Sequence, residues 1–357
     1  SKATKGEGIL NLVAEGADRI VSFAENSLEK FSGTLGLNNL TVFLDANSQG
    51  SIVNNSYDEL SGSLLDTITL TSGAQAELFG QVALDNKDIV VSDGGILSFN
   101  GIATPGSTAS GAHLTVDELT LNDNFVINLG IEDASIQSGS LLVQDDGVGT
   151  SISVATALNG ISGSTLDNGT LTVNGSQISE GDEKEIRFAV TQSGYSDETE
   201  NGTVAEAIYG YNIGVVSDES SPEETLQVSY TLQGVELETG KTLVLSGLDS
   251  EENSSSNTLS VYLTGDGDLR IAENTVRLES TEHGSDYSGS TTISSGAKLF
   301  AEAGTLGKTS DLFVSGEAHV EGNNEIHGLS VGEGALLVIG DDTFADPENF
   351  VTLTLRS

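Results

Sequence analysis

The sequence predicts an all-β chain wound as a parallel β-solenoid, with one interval that departs from the repeat. Three observations carry that expectation. Apolar and polar residues alternate with period two almost everywhere, as in strands whose two faces differ. The alternating runs are short and end in Gly, Asn, Asp or Ser, with the breaks returning about every twenty residues. Aromatic residues make up only 5% of the chain, and Trp, Met and Cys are absent. A strand-turn-strand unit of that length cannot cover its own apolar face, so consecutive units must stack. An array of β-sandwiches has similar turn spacing. Against it stand the small residues recurring at one place in successive units and the lack of aromatic anchors.

Residues 1–150 read as rungs of the solenoid. Ile68-Thr69-Leu70-Thr71 alternates, Ser72-Gly73 turns, and Ala74, Ala76 and Leu78 continue on one face. Ile89 to Ser92, the turn Asp93-Gly94-Gly95, and then Ile96, Leu97 and Phe99 repeat the phrase, with Gly73 and Gly94 one repeat length apart. Ile136, Ser138-Gly139 and Leu141-Leu142-Val143 read as a further strand, corner and strand.

Residues 248–357 repeat it most clearly. Ile293 to Leu299, Val314 to Val320 and Val331 to Leu337 carry turn glycines Gly296, Gly316 and Gly334, again at intervals close to one repeat length. The interval 151–247 lacks the Ser-Gly phrase and carries acidic patches at Asp182-Glu183-Lys184-Glu185, Asp197-Glu198 and Asp218-Glu219. It reads as irregular rungs with a loop or hairpin insertion. Leu226 to Leu237 alternates, and Thr239-Gly240-Lys241 turns before Thr242 to Leu245, as in a hairpin or a rung with a protruding loop. Four of the seven tyrosines, Tyr195, Tyr209, Tyr211 and Tyr230, lie here and form either a contact surface or a small local core. At about 4.8 Å per rung, roughly 13 or 14 rungs make a rod on the order of 65 Å long.

Charge narrows the function. Thirteen Lys and Arg face 54 Asp and Glu in 357 residues, a formal net charge of −41. Such a surface repels phosphate backbones and anionic lipid, so nucleic acid is not an expected partner. Without cysteine there is no disulfide framework, thiolate metal site or cysteine nucleophile. That composition suits a bacterial protein that crosses an oxidising periplasm unfolded. No apolar run reaches the roughly 18 residues of a membrane span. Ser1 to Asn11 holds no signal-like apolar segment, so the chain reads as a mature, soluble piece.

Motifs of catalysis and metal binding fail on spacing. Gly328-Leu329-Ser330-Val331-Gly332 has the letters of a nucleophile elbow beside His327, but Leu329 and Val331 alternate as in a rung. Gly240-Lys241-Thr242 has Val235 where a phosphate loop needs its first glycine. Asp45 to Gln49 begins like a calcium loop that then has Ser56 at its twelfth position. Gly265-Asp266-Gly267-Asp268 and Asp341-Asp342 read as solvated turn aspartates. Among 54 acids no pair is singled out for glycosidic cleavage. Neither a cofactor nor a metal is expected, and the chain is expected not to be an enzyme. A polysaccharide-active β-helix enzyme ranks third among the functional readings.

The scarce basic residues suggest a binding column. Arg277, Lys298 and His319 are evenly spaced, close to one rung apart, and would hold an anionic sugar or a partner carboxylate. Aligned on the turn glycines instead, Lys298 faces Ala318. The expected ligand-binding residues are therefore Arg277, Lys298 and His319, with Tyr195, Tyr209 and Tyr211.

The run from Asp286-Tyr287-Ser288-Gly289-Ser290-Thr291-Thr292-Ile293 through Ser295-Gly296 to Gly304-Thr305-Leu306-Gly307 resembles the passenger-associated repeat of type V autotransporters. The repeat is well matched once, over this run alone. The resemblance implies a right-handed parallel β-helix exported through a C-terminal outer-membrane barrel, which lies outside this chain, and displayed on a Gram-negative cell. Passengers that are rich in glycine and serine and carry no protease look like adhesins of the diffuse-adherence and self-associating group. The expected function is that of a secreted virulence factor, a bacterial cell-surface adhesin binding host extracellular-matrix protein or glycan through the long face of the helix. The alternative is self-association with another copy, in aggregates and biofilm. Contact with the outer membrane would come only through the barrel.

Overall fold

The structure is a computed structural model that describes residues 5–15, 19–24, 26–47, 52, 54–102, 111–131, 135–143, 150–163, 168–174, 176–177, 185–217, 220–248, 257–309, 311–340 and 351–355. These residues are almost entirely β-strand, and the strands pair mostly in parallel. Tyr57–Ser61 forms a short α-helix. No helix among the described residues is long and apolar enough to cross a membrane. The chain divides into two compact units, and the interval 151–247 contributes residues to both.

Unit 1 comprises Ser1–Asp133, Ser151–Lys184 and Tyr211–Ser229. Three parallel ladders receive the chain in rotation. The first stacks Lys5–Val13, Lys30–Asn38, Leu65–Thr71, Asp88–Val91, Leu119–Leu121 and Ile161–Gly163. The second stacks Ile20–Val21, Thr41–Asp45, Gln75–Phe79, Ile96–Ile102, Val126–Ile131 and Thr170–Val173. The third stacks Gln81–Leu84, His113–Val116 and Thr150–Ala157. Leu65–Thr71, Gln75–Phe79 and Gln81–Leu84 thus visit the ladders in turn before Asp88–Val91 returns to the first.

Register turns the sequence alternation into columns. Leu35, Ile68, Ile89 and Leu119 stand in line on successive strands, none more than 3% exposed. Val42, Ala76, Leu97, Ile127 and Leu171 form the matching column of the second ladder. Each buried Leu or Ile stabilises the fold by roughly 1.5–3 kcal/mol relative to exposure. The corners stack as well. The Ser72 N–H donates to Asp93 O and the Gly73 N–H to Gly94 O, while Asp93 and Gly94 donate to Asp123 and Asn124. Both residues of each corner are left-handed, Ser72 and Gly73 at φ 51° and 79°, Asp93 and Gly94 at 50° and 82°. Small residues with a low αL penalty are therefore required there, which explains the recurring Ser-Gly and Asp-Gly pairs.

Unit 2 comprises Ala134–Thr150, Glu185–Gly210 and Tyr230–Ser357. One ladder stacks Thr242–Ser246, Asp268–Glu273, Thr291–Ile293, Asp311–Val314 and Gly328–Val331. A second stacks Thr258–Leu259, Thr275–Leu278, Lys298–Ala301, Glu317–Val320 and Leu336–Ile339. Asn324–Ile326 pairs in parallel with Leu353–Leu355.

The departures from the expected pattern have local causes. Leu141-Leu142-Val143, read as a strand after the corner Ser138-Gly139, lies in a 3-10 helix, Gly139–Val143. Its apolar run is too short for period to distinguish the two, and Gly139 lies against the Val244 carbonyl, where a Cβ would come within 2.4 Å. Glu185–Gln192 runs antiparallel to residues 202–210, a true hairpin inside the irregular interval. Glu224–Leu237 and Thr242–Ser246, by contrast, join different ladders, so Thr239-Gly240-Lys241 is a corner and not a hairpin turn. The patches around Asp182 and Asp218 and the pair Asp341-Asp342 lie outside the described residues, apart from Glu185.

The Tyr287 segment builds an interior hydroxyl chain. Tyr287 is fully buried, with its Oη 2.6 Å from Thr291 Oγ1, which is 3.0 Å from Thr309 Oγ1. Thr309 donates to the Gly289 carbonyl at 2.6 Å. Because that proton is committed, Thr291 must donate to Thr309 and Tyr287 to Thr291. Gly307, at φ 60°, lies where a Cβ would meet the Tyr287 ring at 2.8 Å. Burial pushes the Tyr287 phenol up to about 12.

Candidate functional site

Arg277, Lys298 and His319 lie on the second ladder of unit 2, on the outward positions of Thr275–Leu278, Lys298–Ala301 and Glu317–Val320. Register sets them in two adjacent columns. Arg277 faces Phe300, and Phe300 faces His319. Lys298 stands beside this column, paired with Thr275 on one side and Glu317 on the other. The expected single column therefore needs correction, as does the Lys298–Ala318 alignment. The physical reason is unequal rung length: the turn of chain from Arg277 to Phe300 is longer than the one from Phe300 to His319. The two together place Arg277 and His319 in line, and Phe300 takes the place between them.

Phe300 is the hub of this group and is itself only 4% exposed. The Arg277 guanidinium lies 4.5 Å from its ring centre and the Lys298 ammonium 4.9 Å. The His319 ring stacks on it at 4.6 Å with an interplanar angle of 30°. Both cations sit where the ring quadrupole attracts them.

Carboxylates close the group. Arg277 pairs with Glu321 at 2.5 Å and reaches Glu302 at 4.0 Å. Glu317 accepts from Lys298 at 3.0 Å and from His319 Nε2 at 2.5 Å. A carboxylate only accepts, so Nε2 carries a proton. These bonds, that of His319 first, hold the Glu317 carboxyl below its usual range. Arg277 and Lys298 are thus matched by acids of the following rungs and His319 by one of its own strand, and an incoming anion would have to displace a carboxylate. Phe300 and the three glutamates were not singled out from sequence. The alternation around Lys298 marks Phe300 as outward, and its rung partners emerge only with the register.

The tyrosines divide. Tyr209 is 2% exposed and packs edge-on against Phe188 at 5.6 Å and Tyr230 at 5.9 Å. It offers no surface to a ligand and belongs to a local aromatic core, as does Tyr230. Burial raises both phenols, Tyr230 to about 12. Tyr195 is partly exposed, 5.8 Å from Arg270. Asn201 holds its backbone on both sides, accepting from Tyr195 N and donating to Tyr195 O. Arg270 in turn pairs with the buried carboxylate of Glu200. Tyr211 lies in unit 1, half-buried, with a raised phenol because burial outweighs its hydrogen bond to the Leu171 backbone. Within unit 2, Arg277, Lys298 and His319 gather at Phe300, while Tyr195 lies by Arg270 and Tyr209 in the aromatic core.

Other sequence motifs also have local roles. Gly328–Val331 is a strand in register with Asp311–Val314, with Ser330 opposite Phe313. Lys241 donates to the Asn201 carbonyl at 3.1 Å. Asp266 accepts from the Ser288 hydroxyl and Asp268 from the Ser290 N–H, each at 2.6 Å, so these aspartates join consecutive rungs. Among the described residues no group of three or more His, Cys, Asp or Glu is placed to hold a metal ion.

No family model matches the chain, and no solved structure matches it. It is 26% identical over 349 residues to the uncharacterized lipoprotein YdeK of Escherichia coli (strain K12), an alignment covering 90% of this chain and 24% of that protein. The chain thus spans about a quarter of the length of that relative.

Proposed function

We propose that the chain is part of an autotransporter-type passenger, a right-handed parallel β-helix displayed at the bacterial cell surface that acts as an adhesin for host extracellular-matrix protein or glycan. The observation that carries this reading is the rotation of the chain through parallel ladders, with apolar columns inside and small polar columns outside. A coil of this kind repeats the same outward chemistry from rung to rung, so many weak contacts add along one face. The first ladder of unit 1 presents Asn11, Gly36, Thr69, Val90, Thr120 and Ser162 in line, without a charge. A cell-envelope location is supported by the similarity to a lipoprotein. The Tyr287 to Gly307 segment supports the autotransporter assignment through its likeness to the passenger repeat.

The test is solid-phase binding of the purified chain to immobilised matrix proteins and a glycan panel, with serum albumin as control. Saturable binding to at least one ligand is expected, and binding to none overturns the reading. Self-association is the second reading, favoured by the same uncharged column, through which two copies carrying −41 each could approach. It would strengthen with salt and as pH falls toward the sequence pI of about 4.1. Sedimentation velocity that is insensitive to both would remove it.

A further inference from the structure

We propose that a cleft in unit 1 is a subsite for an uncharged saccharide. The proposal rests on the adhesion reading and deepens it by naming the ligand chemistry. The cleft has a volume of about 420 Å³ and is lined by Asn47, Phe79, Asn100 and Asn174 around Gly80 and Gly130, among others. That volume falls within the range of small-molecule sites. None of the described residues that line it is ionisable. A second cleft in the same unit, of about 460 Å³, is lined by Glu29, Asp58 and Glu59. Charge thus distinguishes the two: the first suits a neutral ligand.

Register brings these side chains together. Asn100 faces Gly130 across the second ladder, Phe79 ends the strand on one side of this pair, and Asn174 follows on the other. The glycines keep the cleft open. A Cβ at Gly130 would lie 2.3 Å from Asn100 Oδ1, and one at Gly80 would lie 2.4 Å from Asn47 Oδ1. The amides rest where side chains would otherwise stand.

Hydrogen bonding decides which amides remain available. Asn174 is closed onto its neighbour, accepting from the Ile131 N–H at 2.9 Å and donating to the Ile131 carbonyl at 3.1 Å. Asn100 donates to Glu77 at 2.7 Å and to the Leu78 carbonyl at 3.2 Å, which leaves its Oδ1 as an acceptor. The Asn47 side chain stands at an exposed position and makes no hydrogen bond to a described residue. The cleft therefore offers one complete amide, one further acceptor and the partly exposed ring of Phe79. A pyranose matches that set: its C–H face packs on an aromatic ring, and its hydroxyls both donate and accept. A uronic or sulfated sugar finds no cation among the described lining residues and meets the repulsive field of a chain carrying −41.

The experiment is ligand-observed saturation-transfer NMR on the full chain. The probes are the methyl glycosides of glucose, galactose, mannose and N-acetylglucosamine, with methyl glucuronide as the anionic counterpart. At least one neutral glycoside should bind and the glucuronide should not. Phe79→Ala and Asn47→Asp should each weaken that binding tenfold or more. The second substitution keeps the shape and adds a charge at an exposed position, so it remains informative if the first disturbs folding. Binding by no neutral glycoside, or binding unchanged in Asn47→Asp, overturns the inference. Solid-phase adhesion without binding of any neutral glycoside removes this subsite and leaves the adhesion reading standing. Glycoside binding without solid-phase adhesion removes the adhesion reading alone.

Discussion

Removing single hydroxyls from the Tyr287 chain separates its links energetically. Tyr287 stands at its head and only donates, so Tyr287→Phe leaves one acceptor of Thr291 unmatched while the rest of the chain persists. The expected cost is about 1 kcal/mol, the net value of one neutral hydrogen bond. Thr309 stands in the middle. Thr309→Val takes the donor from the Gly289 carbonyl, held at 2.6 Å, and the acceptor from Thr291, 3.0 Å away. Two buried polar groups then lose partners, at a cost of about 2–4 kcal/mol. Urea unfolding followed by circular dichroism gives both values. Alkaline pH supplies a second reading. The folded Tyr287 phenol sits at about 12, above its ordinary value of 10.0. Its contribution is therefore complete below the unfolded value and is lost as pH rises through the folded one. Tyr287→Phe should remove that part of the alkaline destabilisation. Equal costs for the two substitutions, or a Thr309→Val chain as stable as the parent, would refute the directional chain.

Four further outcomes follow from the same geometry. Phe300→Leu removes the ring shared by Arg277, Lys298 and His319 and should cost about 1–3 kcal/mol in chemical unfolding, whereas Glu321→Gln, which breaks a partly exposed pair, should cost under about 1 kcal/mol. Gly316→Ala would place a methyl 2.3 Å from the backbone oxygens of both Ser294 and Ala297, and should cost about 3 kcal/mol; Gly296→Ala, at φ 84° in open space, should cost about 1 kcal/mol. Burial, with Glu118 and Asp117 nearby, raises the Asp88 carboxyl, so its ionisation opposes folding as pH rises through the carboxylate range; Asp88→Asn should raise the melting temperature at pH 7 and do little once the parent carboxyl is protonated. Glu317 has the opposite sign: its carboxyl is lowered, so its contribution is present above the unfolded value and is lost as pH falls through the folded one, and Glu317→Gln should flatten that acid limb in a thermal-melt series.

Much of the fold was legible because the coil imposes simple local demands. Ser72-Gly73 and Asp93-Gly94 mark corners since both residues must be left-handed, and Leu35, Ile68, Ile89 and Leu119 alternate because one face of each strand is buried. What sequence spacing could not supply was register between rungs of different length. Equal spacing predicts one column of Arg277, Lys298 and His319, but the two rungs are unequal and only their sum matches, so Arg277 and His319 stand in line while Lys298 lies in the neighbouring column. Turn glycines misled for a related reason: Gly296 is left-handed, whereas Gly316 is required by close packing on the preceding rung and sits one position further along its corner. Leu141 to Val143 is apolar in a strand and in a short helix alike. The Tyr209–Tyr230–Phe188 cluster shows that tyrosines gathered in an irregular interval can be its core. The Asn47–Asn100 cleft carried no sequence signal, since asparagine and glycine also mark ordinary turns.

Distances along one outward column test the parallel winding most directly. Asn11, Gly36, Thr69, Val90, Thr120 and Ser162 occupy successive strands of the first ladder in unit 1. With no native cysteine, spin labels at Asn11→Cys and Ser162→Cys report a single pair. Five inter-strand steps of about 4.8 Å place these backbone positions about 24 Å apart, and labels at Gly36→Cys and Ser162→Cys about 19 Å apart. Pulsed dipolar spectroscopy should return narrow distributions that shorten by about one step between the two pairs, after allowance for label length. Distances that do not scale with the number of intervening strands would contradict the winding.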